Sequence, residues 1–188
     1  MKFSAQAIIA LSAAVSGVMA EPADHIKNIQ DITHIKQNAI ETRDGLLPGC
    51  NDAQTRNARA IMQEVANEGL GKAGCLCAIT TALTESYIGI LANHAAPESL
   101  NFLHDGLGAD NDSVGIFQQR VQWYTNLACD MDAACSAKQF LAVMKTVPGW
   151  ETMETGALCQ AVQRSEKPDA YSRKIGMAIQ ICAAGGFP

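Results

Sequence analysis

The segment from 75 to 90 constrains the fold more than any other, because it is apolar on nearly every side. Its central stripe recurs at helical spacing and is widened by further apolar side chains on both flanks. A helix that is apolar all round must be buried, so the rest of the chain has to pack around it. We therefore expect a buried central helix over 75–90, with its main stripe formed by Ala78, Ile79, Ala82 and Leu83.

The remaining helical patterns are amphipathic and short. Asp52 is a plausible N-cap for a helix that ends at Gly69 and Gly71, and Ser136 with Gln139 resembles a capping box. No strand-like alternation of useful length occurs, although residues 102–122 leave room for one short hairpin. The pattern predicts an all-α or mainly α single domain. The other expected apolar faces are Ala58, Ile61, Met62, Val65 and Ala66; Ala157, Leu158, Ala161 and Val162; and Ile175, Ala178, Ile179 and Cys182.

Residues 1–20 have the pattern of a secretory signal peptide. Lys2 precedes an apolar run that finishes on Val18, Met19 and Ala20, with small side chains where a signal peptidase reads. We expect residues 21–49 to form an N-terminal helical segment or a pro-segment, and 50–188 to form the main folded domain. We expect a secreted, extracellular protein, and no other apolar stretch is long enough to cross a membrane.

All seven cysteines follow the expected signal peptide. A secreted chain passes through an oxidising compartment, so disulfides are expected, with one thiol left over because seven is odd. Cys129 and Cys135 are close enough in sequence to close a short loop. That pair is our first prediction.

The formal net charge of -5 bears on the partner. A phosphate-binding surface needs a surplus of Lys and Arg, so nucleic acid is not expected as a partner. The same acidity provides no long-range attraction to anionic cell walls. We expect a monomer without a membrane partner.

Glu85 is the ionisable residue that stands out within the central helix. It follows Thr81 and Ala82 by about one turn, at the edge of the buried stripe. Partial desolvation raises the pKa of a carboxyl group and suits it to donate a proton. An ordinary solvent-facing glutamate at a helix end is the competing interpretation.

The irregular segment 93–114 follows directly. A loop this long is commonly functional, and it carries Asp105, Asp110 and Asp112 ahead of the tetrapeptide 115–118. Glycosidases use a second carboxylate across the scissile bond, for which these three aspartates are the candidates. Asp in a Gly-rich loop is also a common turn former.

Three strings, ALTES, HDGLGADNDSVGIFQQR and AVQRSEKPDAY, closely resemble the catalytic domains of secreted fungal and actinobacterial muramidases. Those domains are lysozyme-like and similar to soluble lytic transglycosylases and goose-type lysozymes. A Glu-Ser pair ending a buried helix and a Gly-Leu-Met-Gln-like tetrapeptide mark these families. Glu85-Ser86 and Gly115-Ile116-Phe117-Gln118 match those motifs, and the resemblance spans about residues 52–184.

The resemblance implies hydrolysis of the β-1,4 bond between N-acetylmuramic acid and N-acetylglucosamine in peptidoglycan, with antibacterial wall degradation. Glu85 is then the acid and Asp112 our first choice for the second carboxylate, with Asp105 and Asp110 open. Three aspartates favour hydrolysis over transglycosylation. Chitin-type cleavage and a catalytically inactive wall-binding or host-interacting protein are the alternatives. The resemblance also places Ser86 beside Glu85 as its support. The residues expected on the substrate side are Ser86, Gln118, Gln119, His104 and Tyr171.

No metal or cofactor is expected. Val114 and Val121 occupy positions where an EF-hand starting at Asp110 needs oxygen ligands. His94 and His104 lack the tighter spacing of zinc ligand pairs. Trp123 and Tyr124 either stack on sugar rings or pack in the core, and core packing is the commoner role.

Overall fold

In the computed structural model, the described residues are 45–188, and Gly45–Pro188 forms one compact unit. The predicted signal peptide and most of the predicted segment 21–49 lie outside them. The fold is mainly helical with short strands, as the sequence predicts. The α-helices are α1 Asp52–Asn67, α2 Gly71–Glu85, α3 Leu127–Asp130, α4 Ala133–Met144, α5 Thr155–Gln163 and α6 Ile175–Ala184. The strands are β1 Leu91–Asn93, β2 Gly106–Gly108, β3 Ser113–Val114 and β4 Gln119–Arg120, and 3-10 helices span Pro97–Asn101 and Pro168–Lys174.

Helix α2 is the central helix, as predicted, although it begins and ends earlier than residues 75–90. It packs against α1, α5 and α6, and the four central stripe residues are fully buried. Burying this helix on all sides removes its apolar surface from water, which is the main driving force for the fold. Glu85 is its last residue, so the shortened helix places this carboxyl group where the chain turns away.

Two helix starts differ from the predictions. Asn51, not Asp52, caps α1, and it forms a capping box with Gln54. Asp132 caps α4 by accepting from the backbone amide of Cys135, so Ser136 lies inside the helix. Asn51 precedes the predicted cap by one residue and Asp132 precedes it by about one turn, because a second short polar side chain follows each true cap and also matches the pattern. Ile179 is 46% exposed, so it does not belong to the buried face of α6.

The strands lie between α2 and α3. β3 and β4 form the short antiparallel hairpin expected within 102–122, pairing Ser113 with Arg120. β1 and β2 form a parallel pair that the sequence did not predict, with Leu91 opposite Gly106. The segment 93–114 is thus not structureless, since it contains a 3-10 helix and the strands β2 and β3. A second apolar cluster packs beneath it: Ala92, Ala96, Val114 and Met131.

Two disulfides join parts of this unit. Cys129–Cys135 is the predicted pair and closes the turn between α3 and α4, while Cys75–Cys182 ties α2 to α6. The second bridge closes a long loop and stabilises the fold by roughly 4–5 kcal/mol in the chain-entropy model. The prediction of a single leftover thiol is wrong. Three cysteines are free and buried, namely Cys50, Cys77 and Cys159.

Candidate active site

The Glu85 carboxyl group is half-buried at the end of α2 and meets a buried tyrosine. The Tyr171 hydroxyl donates to Glu85 Oε1 at 2.6 Å. Tyr171 is completely buried, so packing in the core fixes the orientation of the phenol that donates to Glu85. Helix α2 and the second 3-10 helix therefore meet at one carboxyl group.

Burial raises the pKa of Glu85 above its ordinary value. Hydrogen bonds from Tyr171 and Gln163 act in the opposite direction, because they favour the ionised form. The negative charge of Asp110 adds to the upward shift. The net shift is upward, so Glu85 keeps its proton to a higher pH than an exposed glutamate does.

The chain directly after Glu85-Ser86 has an unusual backbone conformation. Tyr87 and Ile88 have φ angles of 55° and 64°, in the left-handed region that side-chain-bearing residues rarely adopt. Such a residue costs of order 1–3 kcal/mol and persists only where its surroundings enforce it. Gln54 Nε2 donates to the Tyr87 carbonyl at 2.8 Å, and Asn57 Nδ2 donates to the Ile88 carbonyl at 2.8 Å. Helix α1 thus holds the turn that ends the Glu85 helix.

Asp105 belongs to the same support. Its Oδ2 accepts from Asn57 Nδ2 at 2.8 Å and from the Ile90 backbone amide at 2.9 Å. Its Oδ1 lies 3.9 Å from Arg56 Nη2. A carboxylate with these partners holds the turn after Glu85, and none of these contacts directs it toward a substrate bound at Glu85.

Asp112, our first choice for the second carboxylate, is bound at the open end of the hairpin. Its Oδ1 pairs with Arg120 Nε, and its Oδ2 accepts from the Gln122 backbone amide at 3.0 Å. The hydrogen bond from Arg120 lowers the pKa of Asp112. Both oxygens are therefore engaged in joining the two strands, which is a structural role.

Asp110 has a different environment. It is exposed, and its Oδ1 accepts from the neighbouring Asn111 side chain at 3.0 Å. Its negative charge raises the pKa of Glu85, although less than burial does. Because the oxygens of Asp112 and Asp105 are engaged within the fold, Asp110 is the loop aspartate left to act together with Glu85.

Residues 115–118 form the turn of the hairpin and contact the end of α2. Ser86 Oγ donates to the Ile116 carbonyl at 2.8 Å, which joins the two motifs found in the sequence. Gly115 has a φ of 73°, and a Cβ there would lie 2.0 Å from the Asp130 carbonyl oxygen. Only glycine fits this contact. Gln118 Nε2 donates to the Gly115 carbonyl at 2.9 Å, so its amide is half-buried within the turn.

The remaining substrate-side predictions fare unequally. Gln119 is 4% exposed and directed inward, which leaves no side-chain surface for a glycan. Tyr171 is buried and acts on Glu85 rather than lining a groove. His104 is half-buried, and its Nδ1 lies 2.8 Å from the Phe102 carbonyl oxygen.

Three residues at or near the site were not anticipated in their roles. Asn57 is a buried polar residue on the apolar face of α1, one turn before Ile61, and that position was the available signal. Gln163 donates to the Phe117 carbonyl at 3.0 Å and also lowers the pKa of Glu85, a role that the sequence did not indicate. Trp123 is 73% exposed, so the preference for core packing is wrong for this residue.

Within residues 45–188, no group of three or more His, Cys, Asp or Glu side chains is arranged to hold a metal ion. In the same residues, no helix is long and apolar enough to cross a bilayer. No protein-family model and no curated protein matches the chain.

Proposed function

We propose that this protein is a secreted glycoside hydrolase of the lysozyme type, which cleaves the β-1,4 bond between N-acetylmuramic acid and N-acetylglucosamine. The observation that carries the proposal is the half-buried Glu85 carboxyl group bonded to the buried Tyr171 hydroxyl. An acid catalyst must hold a proton at working pH and keep one orientation. Burial supports the first requirement and the tyrosine supports the second.

In this mechanism Glu85 transfers its proton to the glycosidic oxygen as the bond to the anomeric carbon breaks. The resulting carboxylate is stabilised by the Tyr171 hydroxyl and the Gln163 amide, both of which favour the charged form. In the second half of the reaction water attacks the anomeric carbon and gives up a proton, and the upward pKa shift that burial produces favours the return of Glu85 to its protonated form. Desolvation favours the protonated form of Glu85 before proton transfer, and the hydrogen bonds reduce the free-energy cost of its negative charge afterwards.

Asp110 is our choice for the second carboxylate. It is exposed, and it interacts electrostatically with Glu85. A carboxylate in that position directs water or stabilises positive charge on the sugar. Asp105 and Asp112 are positioning residues in this account, because their oxygens bind Asn57, Ile90, Arg120 and Gln122.

The disulfides Cys75–Cys182 and Cys129–Cys135 support an extracellular location, because such bonds persist in oxidising compartments. The proposed partner is the glycan strand of peptidoglycan, bound by a monomer without a metal or cofactor. Antibacterial wall degradation is the activity that follows.

One observation favours a second candidate, lytic transglycosylation. Two of the three loop aspartates are occupied within the fold, and a transglycosylase needs only one acid because a substrate hydroxyl attacks the anomeric carbon. The two reactions leave different ends: hydrolysis produces a reducing sugar, and transglycosylation produces an anhydro sugar.

Digestion of purified peptidoglycan, with mass spectrometry of the fragments, tests the proposal. Wild type should release fragments with reducing ends, and Asp110→Asn should slow this release by roughly 100-fold or more. Asp112→Asn is the matched control, and it should lower thermal stability more than the rate of a folded sample. Fragments with anhydro ends would favour the transglycosylase. Cleavage of chitin but not of peptidoglycan would favour a chitinase. Absence of cleavage of both polymers by folded wild type would favour the non-catalytic wall-binding protein.

A further inference from the structure

Trp123 is an exposed aromatic residue whose position the proposed chemistry leaves unexplained. Its side chain is 73% exposed, compared with 56% for Tyr87. An exposed apolar residue needs no explanation by itself. Trp123 is distinctive because its indole is also held in place.

Gln122 holds the indole from beside it. When the amide oxygen of Gln122 faces Arg120 and Trp123, it accepts from Arg120 Nη2 at 2.8 Å and from Trp123 Nε1 at 3.2 Å. The backbone amide of Trp123 donates to the Arg120 carbonyl at 2.9 Å. Arg120 in turn pairs with Asp112. The ring is thus preorganised, and binding to it loses little side-chain entropy.

The hairpin connects this ring to Glu85. Its turn is bonded to Ser86, next to Glu85, and Trp123 follows its second strand by three residues. Even a fully extended chain from Gln118 to Trp123 spans at most about 17 Å. Asp110, whose charge acts on Glu85, precedes the same hairpin at its open end. The ring therefore lies on the same hairpin as the turn that contacts the end of the Glu85 helix.

We propose that Trp123 forms a substrate subsite that stacks on the pyranose ring of an N-acetylhexosamine, away from the bond that is cleaved. This inference rests on the proposed function. The face of an indole is apolar and flat, and it matches the C–H face of a sugar ring, while the neighbouring polar groups face its hydroxyl and acetamido groups. The Arg120–Asp112 pair beside it neutralises its own charge, which suits an uncharged sugar. An isolated catalytic domain gains affinity for a polymer through such a subsite.

Tryptophan fluorescence provides a direct test, because the chain contains only Trp123 and Trp150. Trp150 packs partly buried against the main core. The parent protein carries Glu85→Gln to prevent turnover, and it is titrated with a soluble N-acetylglucosamine oligosaccharide. The emission change should persist in Trp150→Phe and disappear in Trp123→Phe. Trp123→Ala should weaken the binding roughly tenfold.

Kinetics in the Glu85 wild-type background separate the two proposals. Trp123→Ala should raise KM several-fold and change kcat little, because the ring binds substrate away from the reacting atoms. Cleavage with an unchanged KM, and oligosaccharide affinity within twofold of the parent, would overturn the subsite and leave the hydrolase intact. Trp123-dependent binding without cleavage by wild type would support the subsite and overturn the hydrolase. A shift in oligomeric state on Trp123→Ala, with unchanged sugar affinity, would assign the ring to a protein contact and overturn the subsite.

Discussion

Replacing Asn57 tests the support beneath Glu85. The two hydrogens on its Nδ2 bind the Ile88 carbonyl and Asp105 Oδ2, each at 2.8 Å, and the residue is 5% exposed. Loss of a neutral hydrogen bond costs about 1 kcal/mol, and loss of one to a carboxylate about 1.5–3 kcal/mol. Asn57→Ala should therefore reduce the free energy of unfolding by about 2.5–4 kcal/mol. For a domain of this size the melting temperature should fall by roughly 10–15 °C.

Asn57→Asp sharpens the test, because it retains the shape and reverses the polarity. The new carboxyl group would face Asp105 Oδ2 at hydrogen-bond distance, and two carboxylates so close share a proton. The folded-state pKa of this pair is then raised above the unfolded value near 4, so stability falls as the pH rises from about 4 toward neutrality. Asn57→Asp should be less damaging than Asn57→Ala near pH 4 and more damaging near pH 7.

Circular dichroism during thermal and urea unfolding measures both effects. Asn67→Ala is the matched control: Asn67 ends the same helix, is exposed, and donates to Glu64, so the expected loss is below about 0.5 kcal/mol. A loss below about 1 kcal/mol for Asn57→Ala would refute the reasoning, as would an Asn57→Asp penalty that is the same at both pH values.

Three further substitutions test the geometry around the site. Tyr171→Phe removes a donor that favours ionised Glu85, so the pKa of Glu85 should rise further and the basic limb of the kcat/KM profile should move to higher pH; a shift to lower pH would contradict this. Gly115→Ala places a Cβ 2.0 Å from the Asp130 carbonyl oxygen at a φ of 73°, so we expect a loss above about 4 kcal/mol or no folding, measured by urea unfolding, and near-wild-type stability would refute the close contact. Burial raises the pKa of Asp130 to about 6, so this group contributes stability that is lost as the pH rises from about 4 through 6. Asp130→Asn should flatten the pH dependence of the melting temperature across that range, and an unchanged profile would contradict the assignment.

The helical part of this fold could be predicted because its signal is local and periodic. The all-round apolarity of 75–83 can be satisfied only by burial, and α2 is the central helix as a result. Helix ends are harder to predict, because Asn51 and Asp52 are both good caps and only the capping box with Gln54 separates them. The parallel pairing of β1 with β2 is too short to produce an alternating pattern.

The candidate site could be predicted where chemistry is tied to a helix end, and not where it depends on a loop. Glu85 is identified by its place at the edge of a buried stripe. The three aspartates cannot be ranked by spacing, because their roles depend on partners distant in sequence, such as Asn57 for Asp105. Trp123 illustrates the same limit. A large aromatic side chain usually packs in the core, and the hydrogen bonds of Gln122 that hold this indole at the surface cannot be read from the sequence.

The cysteines show what counting establishes. The spacing of Cys129 and Cys135 identifies one pair, because six residues allow little else. An odd number of cysteines means that at least one thiol is free, but it sets no upper limit on the number of free thiols. Cys77 and Cys159 lie together in the core, where the Cys159 thiol donates to the Cys77 carbonyl at 3.5 Å and both behave as small apolar side chains.

The most direct test of the central claim compares initial rates of reducing-end release from purified peptidoglycan by wild type and Glu85→Gln, at equal concentration and with matched melting temperatures. Glutamine keeps the size of the side chain and cannot donate the proton. We expect a rate at least about 1000-fold lower for Glu85→Gln, in line with the loss of a general acid. A folded Glu85→Gln protein within tenfold of wild type would contradict the assignment of Glu85 as the acid.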